Sequence, residues 1–157
     1  MSAILFVHGA CVEIGGKAVL LRGPSGSGKS DLAFRLLRAR SGARLVADDQ
    51  VGLVNEAGRL YASAPAALSG LLELRGLGLV TIPPLARAEL AIVIDLVPRD
   101  DVPRLPERRI ASLCGVGLPL IALHAFDLTT ADKVGLALDL IPRKGFPGDD
   151  GRLGDLA

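Results

Sequence analysis

The chain has 157 residues, half of them hydrophobic and 22% charged. That length suits one domain with its own core, and the apolar content excludes a chain that is mainly disordered. Eighteen basic residues against seventeen acidic ones leave a net charge of +1, and aromatic residues amount to 3%, which argues against both a basic nucleic-acid footprint and a stacking surface for single strands.

Ile4 to Ile14 is apolar and rich in β-branched residues, and reads as a strand or a hairpin. Within it lies Cys11; the other cysteine, Cys114, is distant, there is no C-x-x-C pair, and only two histidines occur. No zinc site is expected, and the thiols read as the reduced cysteines of a cytoplasmic protein. The N-terminus lacks a basic segment followed by a long apolar run, and no stretch reaches the length of a spanning helix. After the Gly15-Gly16 turn, Lys17 to Arg22 is a short buried-type strand that runs into Gly23-Pro24-Ser25-Gly26-Ser27-Gly28-Lys29-Ser30. Asp31 to Arg40 has helical spacing (Leu32 with Leu36, Phe34 with Leu37) and stops at Gly42. Arg44 to Ala47 is a second short strand ending in Asp48-Asp49. Val51 to Tyr61 reads as a hairpin turning at Glu56-Ala57-Gly58, and Pro65 to Gly70 as a loop or short helix. Leu71 to Gly78 is apolar but carries Glu73 and Arg75, and Leu90 to Val97 is another strand. Pro98 to Pro106 holds three prolines and reads as loop, and Leu118 to Leu123 as a strand. Thr129 to Asp132 fits a capping box before a helix over Val134 to Ile141. The expected domain covers residues 1–141, followed by a flexible C-terminal tail over 142–157 that is rich in Gly, Pro and Asp.

The segment Gly23 to Ser30 matches G-x-x-x-x-G-K-S/T at every fixed position, with a strand before it and a helix after it. The glycines let backbone N–H groups turn toward phosphate oxygens, and the helix start adds partial positive charge. Lys29 reaches the terminal phosphates, and the Ser30 hydroxyl is suited to Mg²⁺. A glycine-rich turn matching by chance is disfavoured by that context. The motif binds nucleotide but does not by itself name a reaction.

Asp48-Asp49 ends a strand 18 to 19 residues after Ser30. One strand-end acid suffices to hold Mg²⁺ beside a phosphate loop, so two imply a second task, such as accepting a proton from a hydroxyl nucleophile. A solvated turn capped by an Asp is the plainer alternative.

Four segments in order resemble the catalytic domain of HPr kinase/phosphorylase: Val7-His8-Gly9, Gly23 to Ser30, Leu45 to Asp49, and Leu72-Glu73-Leu74-Arg75-Gly76-Leu77-Gly78. The last is similar to the family's LEIRGLG signature with one conservative change, and Arg104 in Pro103-Arg104-Leu105 is a weaker fifth match. The resemblance implies an α/β phosphate-loop kinase domain with a mixed β-sheet core flanked by helices. It implies an ATP- and Mg²⁺-dependent serine kinase acting on the phosphocarrier protein HPr, in the cytoplasm, with no nucleic-acid or membrane partner and a hexameric assembly. By the same resemblance His8 and Lys29 belong to the active site, Asp49 is the proton acceptor, and Asp48 stands beside the metal. Ser30 and Glu73 ligate Mg²⁺, and Arg104 stabilises the transferred phosphoryl group. It further implies a short form of the α-proteobacterial type, without the N-terminal domain of longer members. Those members carry a PGRN-type stretch tied to phosphorolysis. The corresponding His124-Ala125-Phe126-Asp127-Leu128-Thr129 lacks these residues, so phosphorolysis is expected to be weak or absent.

Plainer roles stand beside these. His8 is equally suited to a structural hydrogen bond, Glu73 and Arg75 to an ion pair on one strand face, and Arg104 to a solvated loop. Two other functions compete: a phosphate-loop kinase of a small metabolite, and an ATP-sensing module without turnover. The LELRGLG segment argues against the first. The retained His8, Asp48, Asp49 and Glu73 argue against the second, since a sensor needs no base.

Overall fold

The architecture is centred on one long strand, β9 (Ala88–Leu96), whose apolar run is buried along most of its length. In this computed structural model, which describes residues 3–147 and 151–153, ten other strands and two helices complete the described fold. β3 (Lys17–Arg22) runs parallel to one side of β9, from the pairing of Ala18 with Leu90 to that of Arg22 with Asp95. On its other side β9 pairs first with β6 (Arg59–Ser63), antiparallel, and then with β11 (Val116–Leu123), parallel. β10 (Arg109–Leu113), outside the expected elements, forms an antiparallel hairpin with β11; its mostly exposed side chains carry little apolar signal.

The expected strand or hairpin over Ile4–Ile14 is two strands that do not pair with each other. β1 (Leu5–His8) pairs with β5 (Gln50–Glu56), whereas β2 (Ala10–Ile14) lies between β3 and β4 (Arg44–Ala47). Both β2 pairings are antiparallel, so β4 points the same way as β3, and the chain leaves both strands at one end of the sheet. β5 and β6 form the expected hairpin, turning at Ala57-Gly58. A separate small sheet of β7 (Leu71–Leu74) and β8 (Gly78–Thr81) holds the LELRGLG segment.

The sheet is mixed, as expected for the fold, and both helices cover the same face. α1 (Lys29–Ala39) and α2 (Thr130–Lys144) bury Leu32, Leu36, Val134, Leu138 and Ile141 against Val12, Val19, Leu21, Ile92 and Ile94. The opposite face curls on itself, packing Cys11, Leu20 and Val93 against Val51, Leu53, Leu60 and Leu120. Cys11 is fully buried, which pushes its thiol pKa up. α2 begins four residues before the expected Val134 and runs three residues past the expected boundary at 141, carrying Pro142 in its last turn. Thr129 makes no side-chain cap; instead the hydroxyl of Thr130 donates to the His124 carbonyl at 2.5 Å. Of the expected tail, Leu153 packs on the helix-side core, while residues 148–150 and 154–157 lie outside the described residues.

The helices meet through a notch. The Arg40 guanidinium lies where a Cβ on Gly135 would stand, and it donates to the Asp132 carbonyl at 3.1 Å. Gly135→Ala should lower stability by about 1–3 kcal/mol through overpacking, read as a shift of the denaturation midpoint. Arg40→Ala in the same chain should recover part of that loss, which a double-mutant cycle measures.

Candidate active site

The parallel strands β3, β9 and β11, together with β4, all end at one edge, where ligands of such sheets are held. The segment 23–28 leaves β3 there and enters α1. Gly28 is the N-cap of α1 with φ +97 and no side chain caps the helix, so the first-turn amides are left for an anion. Lys29 is folded onto its own loop, its Nζ donating to the carbonyls of Gly23 (2.6 Å) and Pro24 (3.0 Å). Ser27 Oγ is buried with no hydrogen-bond partner, an orphaned donor inside the loop. Open amides, an ammonium and a spare hydroxyl suit phosphate oxygens.

Asp48 is one of two buried polar residues among the described ones, at 7% exposure. One carboxylate oxygen accepts from Ser30 Oγ at 2.7 Å, and the other accepts from the Glu73 backbone N–H at 3.4 Å. The two antiparallel steps through β2 place Asp48 level with the loop. Asp49 follows in the left-handed region at φ +70, which turns its side chain away from that of Asp48. It is exposed and has no hydrogen-bond or ion-pair partner among the described residues. Its carbonyl accepts from the Gly9 N–H at 3.2 Å, and His8 pairs with Gln50, so His8 stands one residue from Asp49 across the β1–β5 ladder. His8 is exposed and makes no hydrogen bond among the described residues.

Glu73 points away from buried Leu72 and Leu74, on the exposed face of β7. It forms no ion pair with Arg75, which lies in the turn of the hairpin. The oxygens of Ser30, Asp48 and Glu73 are hard donors suited to Mg²⁺. No cluster of three His, Cys, Asp or Glu exists among the described residues.

Arg104 lies exposed in the loop that leaves β9 at this edge. It lines a groove of about 240 Å³ with Val102, Pro103, Lys133 and Leu136, and no residue of the 23–30 loop borders it. The structure adds residues that the sequence did not reveal. Arg35 of α1 donates to the Ala125 carbonyl and, at 3.5 Å, to that of Asp127. This pins the 124–129 segment beside the loop. Arg99 pairs with Asp127 at 2.6 Å. In sequence Arg35 is one more polar position on an amphipathic helix, and nothing local marks contacts made 90 residues away.

Gly28 admits no side chain. A Cβ there would stand 2.6 Å from the Ala125 Cβ and 2.8 Å from Phe126 Cζ, on top of the positive φ. Gly28→Ala should therefore lose triphosphate binding by at least tenfold while retaining the native circular dichroism spectrum; calorimetric titration with Mg²⁺ and ATP checks it.

A profile of the HPr serine kinase C-terminal domain matches residues 1–107. HPr kinase/phosphorylase of Lactobacillus acidophilus is 33% identical over 147 residues, 86% of this chain and 43% of the relative. That of Geobacillus sp. is 43% identical over 98 residues, 57% of this chain and 31% of the relative. That of Clostridium tetani is 44% identical over 79 residues, 50% of this chain and 25% of the relative. The chain thus spans between a quarter and a half of the length of these relatives. The solved structure of the Hpr(Ser) kinase/phosphatase from Coxiella burnetii shares the fold, with a TM-score of 0.75 and 24% identity over 86% of this chain and 88% of that one. With the phosphate loop, the strand-end acids and the LELRGLG hairpin at one sheet edge, and the profile covering two-thirds of the sequence, the chain belongs to the HPr serine kinase C-terminal domain family.

Proposed function

We propose that this protein is an ATP-dependent kinase that phosphorylates a serine of HPr. The observation that carries the reading is the division of labour between adjacent acids. Asp48 engages Ser30 and Glu73 with its two oxygens, whereas the Asp49 carboxylate is exposed and unpartnered among the described residues. One acid is committed to the metal side of the phosphate loop, and the other is free to accept a proton.

In this reading the amides of the loop and of the α1 start hold the β- and γ-phosphates, and Lys29 leaves the Gly23 and Pro24 carbonyls to pair with them. Ser30, Asp48 and Glu73 would hold Mg²⁺, which when bound offsets charge on the phosphate oxygens. Asp49 takes the proton of the acceptor hydroxyl as its oxygen attacks the γ-phosphorus, and the bond to the β-phosphate oxygen breaks, leaving ADP. His8, across the ladder from Gln50, lines the side from which the acceptor enters. Arg104, exposed in the loop that follows β9, would stabilise charge on the transferred phosphoryl group. A small-metabolite kinase is less well supported, since relatives on both sides of the comparison carry HPr kinase names. The chain has no described helix long and apolar enough to cross a membrane.

Incubation with ATP, Mg²⁺ and HPr should yield HPr carrying one phosphate on serine, located by mass spectrometry. ATP consumption that ignores HPr would refute the acceptor. Asp49→Asn should lower the transfer rate by about 10²–10⁴-fold with little change in ATP affinity. Asn tolerates the same left-handed backbone, so the substitution removes the base without straining the turn. Glu73→Gln should instead raise the Mg²⁺ concentration needed for half-maximal rate.

The reverse reaction needs inorganic phosphate gripped without help from the rest of ATP. The segment beside the loop offers Asp127, and the nearby Arg99 is already paired with it. Serine-phosphorylated HPr with Mg²⁺ and millimolar phosphate should therefore release pyrophosphate far more slowly than the forward reaction proceeds. Comparable rates would mean that another cluster holds the phosphate.

A further inference from the structure

Phe126 is 55% exposed, in a chain with four phenylalanines, one tyrosine and no tryptophan. The other aromatics lie elsewhere, Phe6 among them at 53% exposure. Phe34 packs on Leu45 and Leu72, Phe146 on the helix-side core, and Phe6 against Gly52, while Tyr61 lies under the Arg87 guanidinium. Phe126 stands against the phosphate loop. Its ring abuts the last loop glycine, with Cζ 2.8 Å and Cε1 3.1 Å from the position that a Gly28 Cβ would take.

An exposed phenyl ring normally has rotamer freedom, but this one meets a second ring and stands on a backbone held at both neighbours. It meets the His124 ring edge to face, centroids 5.8 Å apart at 72°. His124 is itself held, with Nδ1 2.9 Å from the Val97 carbonyl. The backbone on either side of Phe126 is fixed by Arg35, through the carbonyls of Ala125 and Asp127, and by the Arg99–Asp127 pair. The α1 start therefore has two flanks. On one, Ser30 reaches Asp48 and, through it, the β7 hairpin. On the other, Gly28 meets Phe126. A hydroxyl that attacks the γ-phosphate and the nucleoside that carries the triphosphate must lie at opposite ends of that triphosphate. With the free carboxylate of Asp49 on the first flank, the nucleoside belongs on the second.

We infer that Phe126 is the stacking platform for the nucleotide base, its ring face held in place beside Gly28 before ligand arrives. The inference rests on the reading that the loop binds a nucleoside triphosphate. A braced ring loses little freedom on binding, so the stack adds to affinity at low entropic cost. The ring presents no donor or acceptor, so it recognises the aromatic face of the base and nothing of its hydrogen-bonding edge.

The test compares ATP with tripolyphosphate, which has the phosphates and no base, by calorimetry in the presence of Mg²⁺. Phe126→Ala should weaken ATP roughly 5- to 50-fold, the range set by loss of one base–aromatic stack, and leave tripolyphosphate unchanged. Phe126→Trp should restore ATP affinity. As the only tryptophan of its chain it should also be quenched by ATP and not by tripolyphosphate. Equal weakening of both ligands by Phe126→Ala would show that the ring only props Gly28, and no change in either would show that the base lies elsewhere; each overturns the inference. If the unaltered protein bound neither ligand, the nucleotide reading would itself fall, and the platform with it.

Discussion

A buried carboxylate in a protein interior is stable only when its oxygens are paired, and here that requirement ties the site together. Asp48 satisfies it with the Ser30 hydroxyl on one side and the Glu73 amide on the other. Those two bonds join the first turn of the helix after the phosphate loop, the end of β4, and the small β7–β8 sheet. A hydrogen bond to a charged group contributes about 1.5–3 kcal/mol, and losing either partner leaves a desolvated charge. The LELRGLG hairpin is thus held to the main sheet at the point where phosphate would sit. Leu45 and Leu72 pack beneath it and support the same junction from the apolar side.

The sheet order explains why short segments far apart in sequence meet. β2 separates β3 from β4 and runs opposite to both, so the loop after β3 and the acids after β4 open on one edge. β2 also starts at that edge, because Ala10 pairs with Leu21, which brings Gly9 and His8 beside Asp49. Parallel pairing of β11 with β9 delivers the 124–129 segment to the other flank of the helix start.

The parts legible in the sequence are those whose chemistry is local. The phosphate loop needs its glycines and lysine in one run, and Asp48-Asp49 follows a strand of ordinary apolar pattern. The helix after the loop was likewise readable from its spacing, whereas the mixed sheet was legible only through the resemblance to the family. What escaped depended on partners distant in the chain. β10 is half-exposed and gains its identity only from β11. Ile4 to Ile14 looks like one apolar unit, yet its halves pair with β5 and with β3 and β4, a choice that local pattern does not encode. The last turn of α2 continues through Pro142, which a sequence reading takes as a stop, because Leu138, Leu140 and Ile141 are already buried and carry the helix forward. The roles of Arg35 and Phe126 depend on contacts across roughly 90 and 100 positions.

The central claim is that the loop amides, Lys29 and the Ser30–Asp48 pair form one phosphate site with a metal flank. Backbone amide resonances of the unaltered protein, followed while tripolyphosphate is added without and then with Mg²⁺, test it most directly. The account predicts that tripolyphosphate alone shifts residues 25–31, and that Mg²⁺ extends the shifts to Asp48, Asp49 and Glu73. Shifts centred on the groove around Arg104 and Lys133, or a Mg²⁺ response that leaves Asp48 and Glu73 unmoved, would contradict it.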